Sequence, residues 1–123
     1  MKKTKMLKKN YQFKNVLTKG KYYSGEFIEA FIKPYYIDNN KNFLGIAISS
    51  KVCKAVRRNM IKRLIRESYK NLENNITTGK EIVFLWKKKA EIINATYSNI
   101  EKDMRKIFRN AGILSKSEYE EKQ

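Results

Sequence analysis

The stretch at residues 51–67, KVCKAVRRNMIKRLIRE, constrains this chain more than any other, because it packs positive charge into one predicted helix. On a helical wheel Arg58, Asn59, Lys62, Arg63, Arg66 and Lys70 gather on one side, and Val56, Met60, Ile61, Leu64, Ile65 and Leu72 on the other. No acidic residue lies between Lys51 and Arg66, whereas a solvated helix usually interleaves both signs. Arg58, Lys62 and Arg66 stand one turn apart, and like charges at that spacing destabilise an isolated helix by roughly 0.2–0.5 kcal/mol per pair. A polyanion lying along the stripe removes that repulsion. Asn59, in the middle of the stripe, is a mediocre helix former that both donates and accepts hydrogen bonds. The competing reading is a plain solvated basic face.

At 123 residues the chain makes one domain, long enough to bury about two-thirds of the surface of its unfolded form. Its 28 Lys and Arg against 12 Asp and Glu leave a net charge of +16, which points to an acidic partner, with nucleic acid ahead of an anionic membrane. No apolar run approaches a membrane span, and the opening MKKTKMLKKNYQ lacks the apolar core of a signal peptide. The expected location is cytoplasmic, with no membrane partner. Cys53 is the single cysteine, which excludes an internal disulfide and fits a reducing compartment. The absence of histidine excludes a His general base, a Ser/His/Asp triad and His-ligated zinc. One cysteine cannot build a thiolate metal site, and the five glycines form neither a phosphate loop nor a dinucleotide motif. The acidic residues are scattered, without the pair a two-metal nuclease needs. Catalysis by the protein alone and a small-molecule substrate are therefore not expected.

Residues 1–9 read as a flexible basic arm, residues 10–114 as a single α/β domain and residues 115–123 as a polar tail. Asn10 is placed to cap a short helix with Phe13, Val16 and Leu17 on one stripe, and Gly20 to supply a left-handed stop. Residues 26–33 alternate, with Ile28, Ala30 and Ile32 facing a core and Phe27, Glu29, Phe31 and Lys33 facing away. A second strand over 42–49 buries Leu44, Ile46 and Ile48, and its Gly45 and Ala47 leave room on the other face for a closely packed helix or backbone. The basic helix runs on to about Leu72, and EIVFLW at 81–86 reads as a strand covered on both faces, so strand, helix and strand suggest a crossover. Lys87, Lys88 and Lys89 follow it, and Thr96 caps a last helix that ends near Gly112.

The block LGIAISSKVCKAVRRNMIKRLIRE closely resembles the signature of the bacterial ribonuclease P protein component. In that family a strand ends in a Ser/Lys turn and enters a helix carrying Ala-Val, then Arg-Asn-Arg, then Lys-Arg and a later Arg. Lys51, Ala55, Val56, Arg58, Asn59, Lys62, Arg63 and Arg66 match in order and spacing. Met60 stands where the triplet has its second Arg, and Cys53 where a Gly is usual; the latter implies a turn that needs no positive φ. The resemblance extends over nearly the full length. LKKNYQFKNVLTKGK looks like the family's first helix, with Phe13 at its aromatic position and Leu17 where a second aromatic is common, and Phe31 falls at an aromatic strand position. EIVFLWKKKA resembles the last strand, with Lys87 in place of the usual Arg.

The resemblance implies an α+β fold, a two-layer α/β sandwich with a four-stranded sheet and a left-handed βαβ crossover around the basic helix, and a cleft between the first helix and the sheet. It implies a non-catalytic protein subunit that binds the catalytic RNA and the 5′ leader of precursor tRNA, while the RNA performs Mg²⁺-dependent hydrolysis. Lys51, Lys54, Arg57, Arg58, Asn59, Lys62, Arg63 and Arg66 are then the candidate RNA-subunit ligands, and Phe13, Leu17, Phe31 and Lys87 the candidate leader ligands. The Mg²⁺ is expected to be held mainly by the RNA. From the residues alone, Phe13 either stacks a base or fastens its helix to the sheet. The rival readings are a ribosomal protein of similar fold, which shares the basic stripe without a leader cleft, and an enzyme active without RNA.

Overall fold

The computed structural model describes residues 3–114. Its elements run β1 (Thr4–Met6), α1 (Asn10–Lys19), β2 (Lys21–Ser24), β3 (Ile28–Pro34), β4 (Asn42–Ala47), α2 (Ala55–Leu72), β5 (Lys80–Trp86) and α3 (Tyr97–Asn110). The strands form one mixed sheet in the order β1-β4-β5-β3-β2. β4 is parallel to both β1 and β5, while β3 is antiparallel to β5 and β2. The class is α+β, as expected, with five strands where four are implied by the resemblance. The expected crossover is present as β4–α2–β5.

Period-two alternation divides the apolar residues between the two faces of the sheet. Ile28, Ala30 and Ile32 of β3, with Ile82, Phe84 and Trp86 of β5, meet Ile61, Ile65 and Tyr69 of α2 and Met104 and Phe108 of α3 in the larger core. Val83 of β5 points the other way, into a smaller cluster with Leu7 and Val16, where α1 covers the opposite face. Phe84 and Phe108 meet edge to face at 5.9 Å, a favoured aromatic geometry.

Two strands have no counterpart in the sequence reading. β2 is a short edge strand without a clear alternation. β1 lies within the arm expected to be flexible at residues 1–9. It is held because Thr4 is buried, its Oγ1 sharing a 2.7 Å hydrogen bond with the Tyr69 hydroxyl, and because the Leu7 N–H donates to the Leu44 carbonyl at 2.8 Å. Burial pushes the Tyr69 hydroxyl pKa up, against the Thr4 and Asn42 hydrogen bonds, which lower it. The tail expected over residues 115–123 lies outside the described residues.

Helix ends differ in detail from the expectation. Asn10 is already helical, and the start of α1 is held by Gln12, whose Oε1 accepts from the backbone N–H groups of Lys8 at 3.1 Å and Lys9 at 3.0 Å. Gly20 is not left-handed, since its φ is −74°; it is needed because a Cβ there would stand 2.5 Å from the Val16 carbonyl oxygen. Thr96 does cap α3, accepting from the Asn99 N–H at 3.2 Å, and Gly112 ends it with φ +72°. The turn at Cys53 needs no positive φ, as the missing Gly implies.

The turn into β3 is held by one buried carboxylate. Asp103 of α3 accepts the backbone N–H groups of Glu26 at 2.9 Å, Phe27 at 2.6 Å and Ile28 at 3.0 Å. Gly25 lets it approach, since a Cβ at that position would stand 2.6 Å from Asp103 Cγ. Leaving such donors buried and unpaired is costly, so Asp103→Ala is expected to lower the unfolding free energy by roughly 2–4 kcal/mol. Asp103→Asn, which keeps one acceptor oxygen, should lose less. Urea denaturation measures both, and an unchanged midpoint for the alanine variant would remove this turn from the determinants of stability.

Candidate nucleic-acid interface

Because β4 and β5 run parallel, the segments that leave their C-terminal ends emerge at the same end of the sheet. One carries Lys51 and Lys54 into α2, and the other carries Lys87, Lys88 and Lys89. Cys53, Lys54 and Arg57 share a shallow depression with Ile92 and Ile93, so the start of α2 and the segment after Lys89 are neighbours. Charge separated by more than thirty positions in sequence thus converges at one end. The sequence reading divides Lys51, Lys54 and Arg57 from Lys87, assigning them to different RNA ligands; the fold places them at a common rim.

From this end α2 runs outward along the sheet, carrying its charge about 18 Å from Lys54 to Arg66. Ile61, Ile65, Ser68, Tyr69 and Leu72 are its buried residues, and Asn59, Arg63, Arg66 and Lys70 are exposed opposite them. None of Lys54, Arg57, Lys62, Arg63 and Arg66 forms an ion pair among the described residues, whereas Lys33 pairs with Glu81 at 2.8 Å and Arg105 with Glu101 at 2.5 Å. Arg58 stands apart from the stripe: it is half-buried, and its Nη1 donates to the Cys53 carbonyl at 2.6 Å. That bond ties the helix to the preceding loop and fixes the guanidinium while leaving its other donors free. Val56 departs from the wheel more sharply. Expected on the dry face, it is 80% exposed, because nine positions before Ile65 it stands about half a turn round the helix from that buried residue, on the side of α2 away from the core.

On the opposite face of the sheet, Phe13, Leu17 and Phe31 do come together. All are half-buried in the smaller cluster, joined there by Phe43 and Leu85. Gly45 makes this possible, since a Cβ on it would lie 2.6 Å from Phe13 Cε1. Phe13 therefore fastens α1 to the sheet while keeping part of its ring open. The β2–β3 register sets Tyr22 beside Phe31, with ring centroids 5.3 Å apart, and Tyr35 stands 4.7 Å from Phe43. Lys87 is not in this cluster. It lines a depression with Phe27, Glu29, Lys88 and Lys89 further toward the basic end.

The carboxylates on this face are engaged. Glu81 is paired with Lys33, and Glu29 accepts from the Tyr22 hydroxyl at 2.6 Å, a bond that is the main cause of the raised Tyr22 pKa. Tyr22, Phe43 and Lys88 are contributors that the sequence reading does not single out as ligands. For Tyr22 the only sequence signal is its aromatic character in a strand too short to show alternation. Among the described residues no group of three His, Cys, Asp or Glu side chains is placed to hold a metal ion. No helix among them is long and apolar enough to cross a membrane.

A family profile described as Ribonuclease P matches residues 1–112. The chain is 36% identical over 114 residues to the ribonuclease P protein component of a Clostridium botulinum strain, covering 92% of this chain and 99% of that protein. It is 33% identical over 114 residues to the same component of Thermoanaerobacter pseudethanolicus, covering 91% and 93%. Among solved structures, the RNase P protein of Staphylococcus aureus superposes with a TM-score of 0.77 at 25% identity, covering 89% of this chain and 97% of that one. The RNase P protein from Thermotoga maritima shares the fold, with a TM-score of 0.75 at 24% identity over 86% and 96% of the two chains.

The fit of Phe13 over Gly45 is directly testable. Gly45→Ala introduces a methyl where the ring now lies, and overpacking of this kind costs about 1–3 kcal/mol. The variant is expected to unfold at lower temperature and to shift the Phe13 ring resonances. Unchanged stability and unchanged resonances together would show that the ring has another place to go.

Proposed function

The chain belongs to the ribonuclease P protein component family, and from that premise we propose that it binds the catalytic RNA along α2 and the 5′ leader of precursor tRNA in the cleft under α1. As a family member it takes part in a tRNA-processing ribonuclease whose partner is ribonuclease P RNA. The finer reading rests above all on one arrangement: a row of cations that form no ion pair among the described residues on one face of the sheet, and a half-open aromatic cleft on the other.

In this reading Lys62, Arg63 and Arg66 neutralise phosphates of the RNA subunit and release counterions. Asn59 hydrogen-bonds a nucleotide, and Arg58 is pre-set by its bond to Cys53. Phe13, Leu17 and Phe31 give the leader a platform that accepts any base, because every base has a π-face. Lys51, Lys54, Arg57 and Lys87 at the shared rim attract the phosphates of both RNAs. The protein holds two polyanions together and supplies no reacting group. The Mg²⁺ that the resemblance implies for the hydrolysis is proposed to be held mainly by the RNA. The proposed location, in keeping with a tRNA-processing role, is the cytoplasm.

Reconstitution tests this reading: cleavage of a 5′-extended precursor tRNA by the cognate RNA subunit at low Mg²⁺, with and without the protein, and with the protein alone. Accurate 5′ cleavage is expected only when RNA and protein are combined at low Mg²⁺. No effect of the protein on cleavage would refute the proposal.

Two variants separate the surfaces. Arg66→Ala is expected to weaken binding of the RNA subunit and to reduce the slope of log affinity against log salt by about one phosphate contact. Phe31→Ala should weaken binding of leader-bearing substrate to the holoenzyme by about 1–3 kcal/mol, with binding of leaderless mature tRNA unchanged. Equal loss for both tRNAs would count against a leader cleft.

A further inference from the structure

The outer side of α2 carries an apolar strip among its charges. Val56 and Met60 are one turn apart, and both line a shallow groove with Asn59, Arg63 and Arg66. Val56 is 80% exposed in the first turn of the helix, and Met60, where the family has an Arg, is half-buried, one side packed against the main core and the other lining the groove. A phosphate-binding helix has no use for an exposed valine beside a methionine, since neither can neutralise charge. Methionine is unusually able to mould itself to a flat or irregular apolar surface. Asn59 adds a donor and an acceptor, and Glu67 and Lys70 stand in the same groove toward its C-terminal end.

We propose that this groove seats one unpaired nucleotide of the RNA subunit, with its base or ribose against Val56 and Met60, its edge read by Asn59, and its phosphate on Arg63 and Arg66. The inference rests on the RNA-binding reading of α2 given above. The charge pattern sets the orientation. Arg63 and Arg66 line the groove beside Val56 and Met60, so the phosphate of a bound nucleotide lies toward them. A paired base presents no free face to the strip, whereas an extrahelical base does; single-stranded loops and bulges are where RNA is ordinarily read by side chains. Arg at position 60 would add a phosphate contact and remove the apolar seat. In this chain one ionic contact is exchanged for one that selects unpaired RNA.

The test uses the full-length protein with two RNA hairpins of identical stem, one fully paired and one carrying a single bulged nucleotide, and with the cognate RNA subunit. The wild-type protein is expected to bind the bulged hairpin about tenfold more tightly than the paired one. Val56→Ser, at a site too exposed to affect folding, should reduce that preference severalfold, and Met60→Arg should abolish it while steepening the salt dependence by about one ion. In both variants binding to the paired stem should be retained. The inference is overturned if the wild type shows no preference for the bulge, or if Val56→Ser leaves the preference intact. Failure of the wild type to bind the cognate RNA subunit at all would instead bring down the RNA-binding reading itself, and this inference with it.

Discussion

The fold depends on β5 being buried on both faces. It is central, antiparallel to β3 on one side and parallel to β4 on the other, and its alternating side chains enter two separate clusters. A strand buried on one face alone would leave α1 without a seat, and with it the aromatic cleft. The parallel pairing with β4 has a second consequence. It requires a long crossover, and α2 is that crossover. The element that closes the sheet is therefore also the one that carries the unpaired charge, and its start must lie beside the residues that follow β5.

A protein with net charge +16 must fold against its own repulsion. Several acids of the described residues are engaged elsewhere in the fold, away from α2. Asp103 holds the turn into β3, Glu81 pairs with Lys33, Glu101 with Arg105, and Glu29 takes the Tyr22 hydroxyl. The buried Glu73 accepts from the Lys3 backbone N–H at 3.3 Å, beside the pairing of β1. These groups neutralise or order neighbouring elements and leave the cations of α2 facing solvent. The arrangement accounts for stability and for polyanion affinity together, because an acid used to order a turn is not available to screen the outer helix.

Much of this was legible from the order of residues because the signals are periodic and local. The alternation at Ile28, Ala30 and Ile32, the doubly covered run ending at Trp86 and the cap at Thr96 each arise from geometry repeated within a few residues. The site was legible in part for the same reason: Phe13 and Leu17 share a helical stripe, and Asn59, Arg63 and Arg66 a basic one. What escaped was set by long-range pairing. β1 is three residues of mainly polar chain, held by Tyr69 from sixty-five positions away. β2 lacks alternation because it is an edge, and so the approach of Tyr22 to Phe31 has no local signature. Val56 is apolar yet stands about half a turn round the helix from Ile65, so its residue type pointed to a face that its position does not occupy.

The parallel pairing of β4 and β5 also sets how the two proposed RNA surfaces relate. α2 and the cleft lie on opposite faces of the sheet, so one RNA on each would be kept apart by the thickness of the domain along most of its length. At the C-terminal ends of β4 and β5 the segment that leads into α2 and the segment that begins with Lys87 emerge together. A strand of leader leaving the cleft in this direction and an RNA subunit aligned on α2 would meet there, over Lys51, Lys54, Arg57 and Lys87. Two phosphate backbones approaching so closely repel strongly unless fixed cations stand between them. In the proposed reading the rim lysines and arginine serve both chains at once, which accounts for the gathering of charge at the end of the sheet where the two segments emerge.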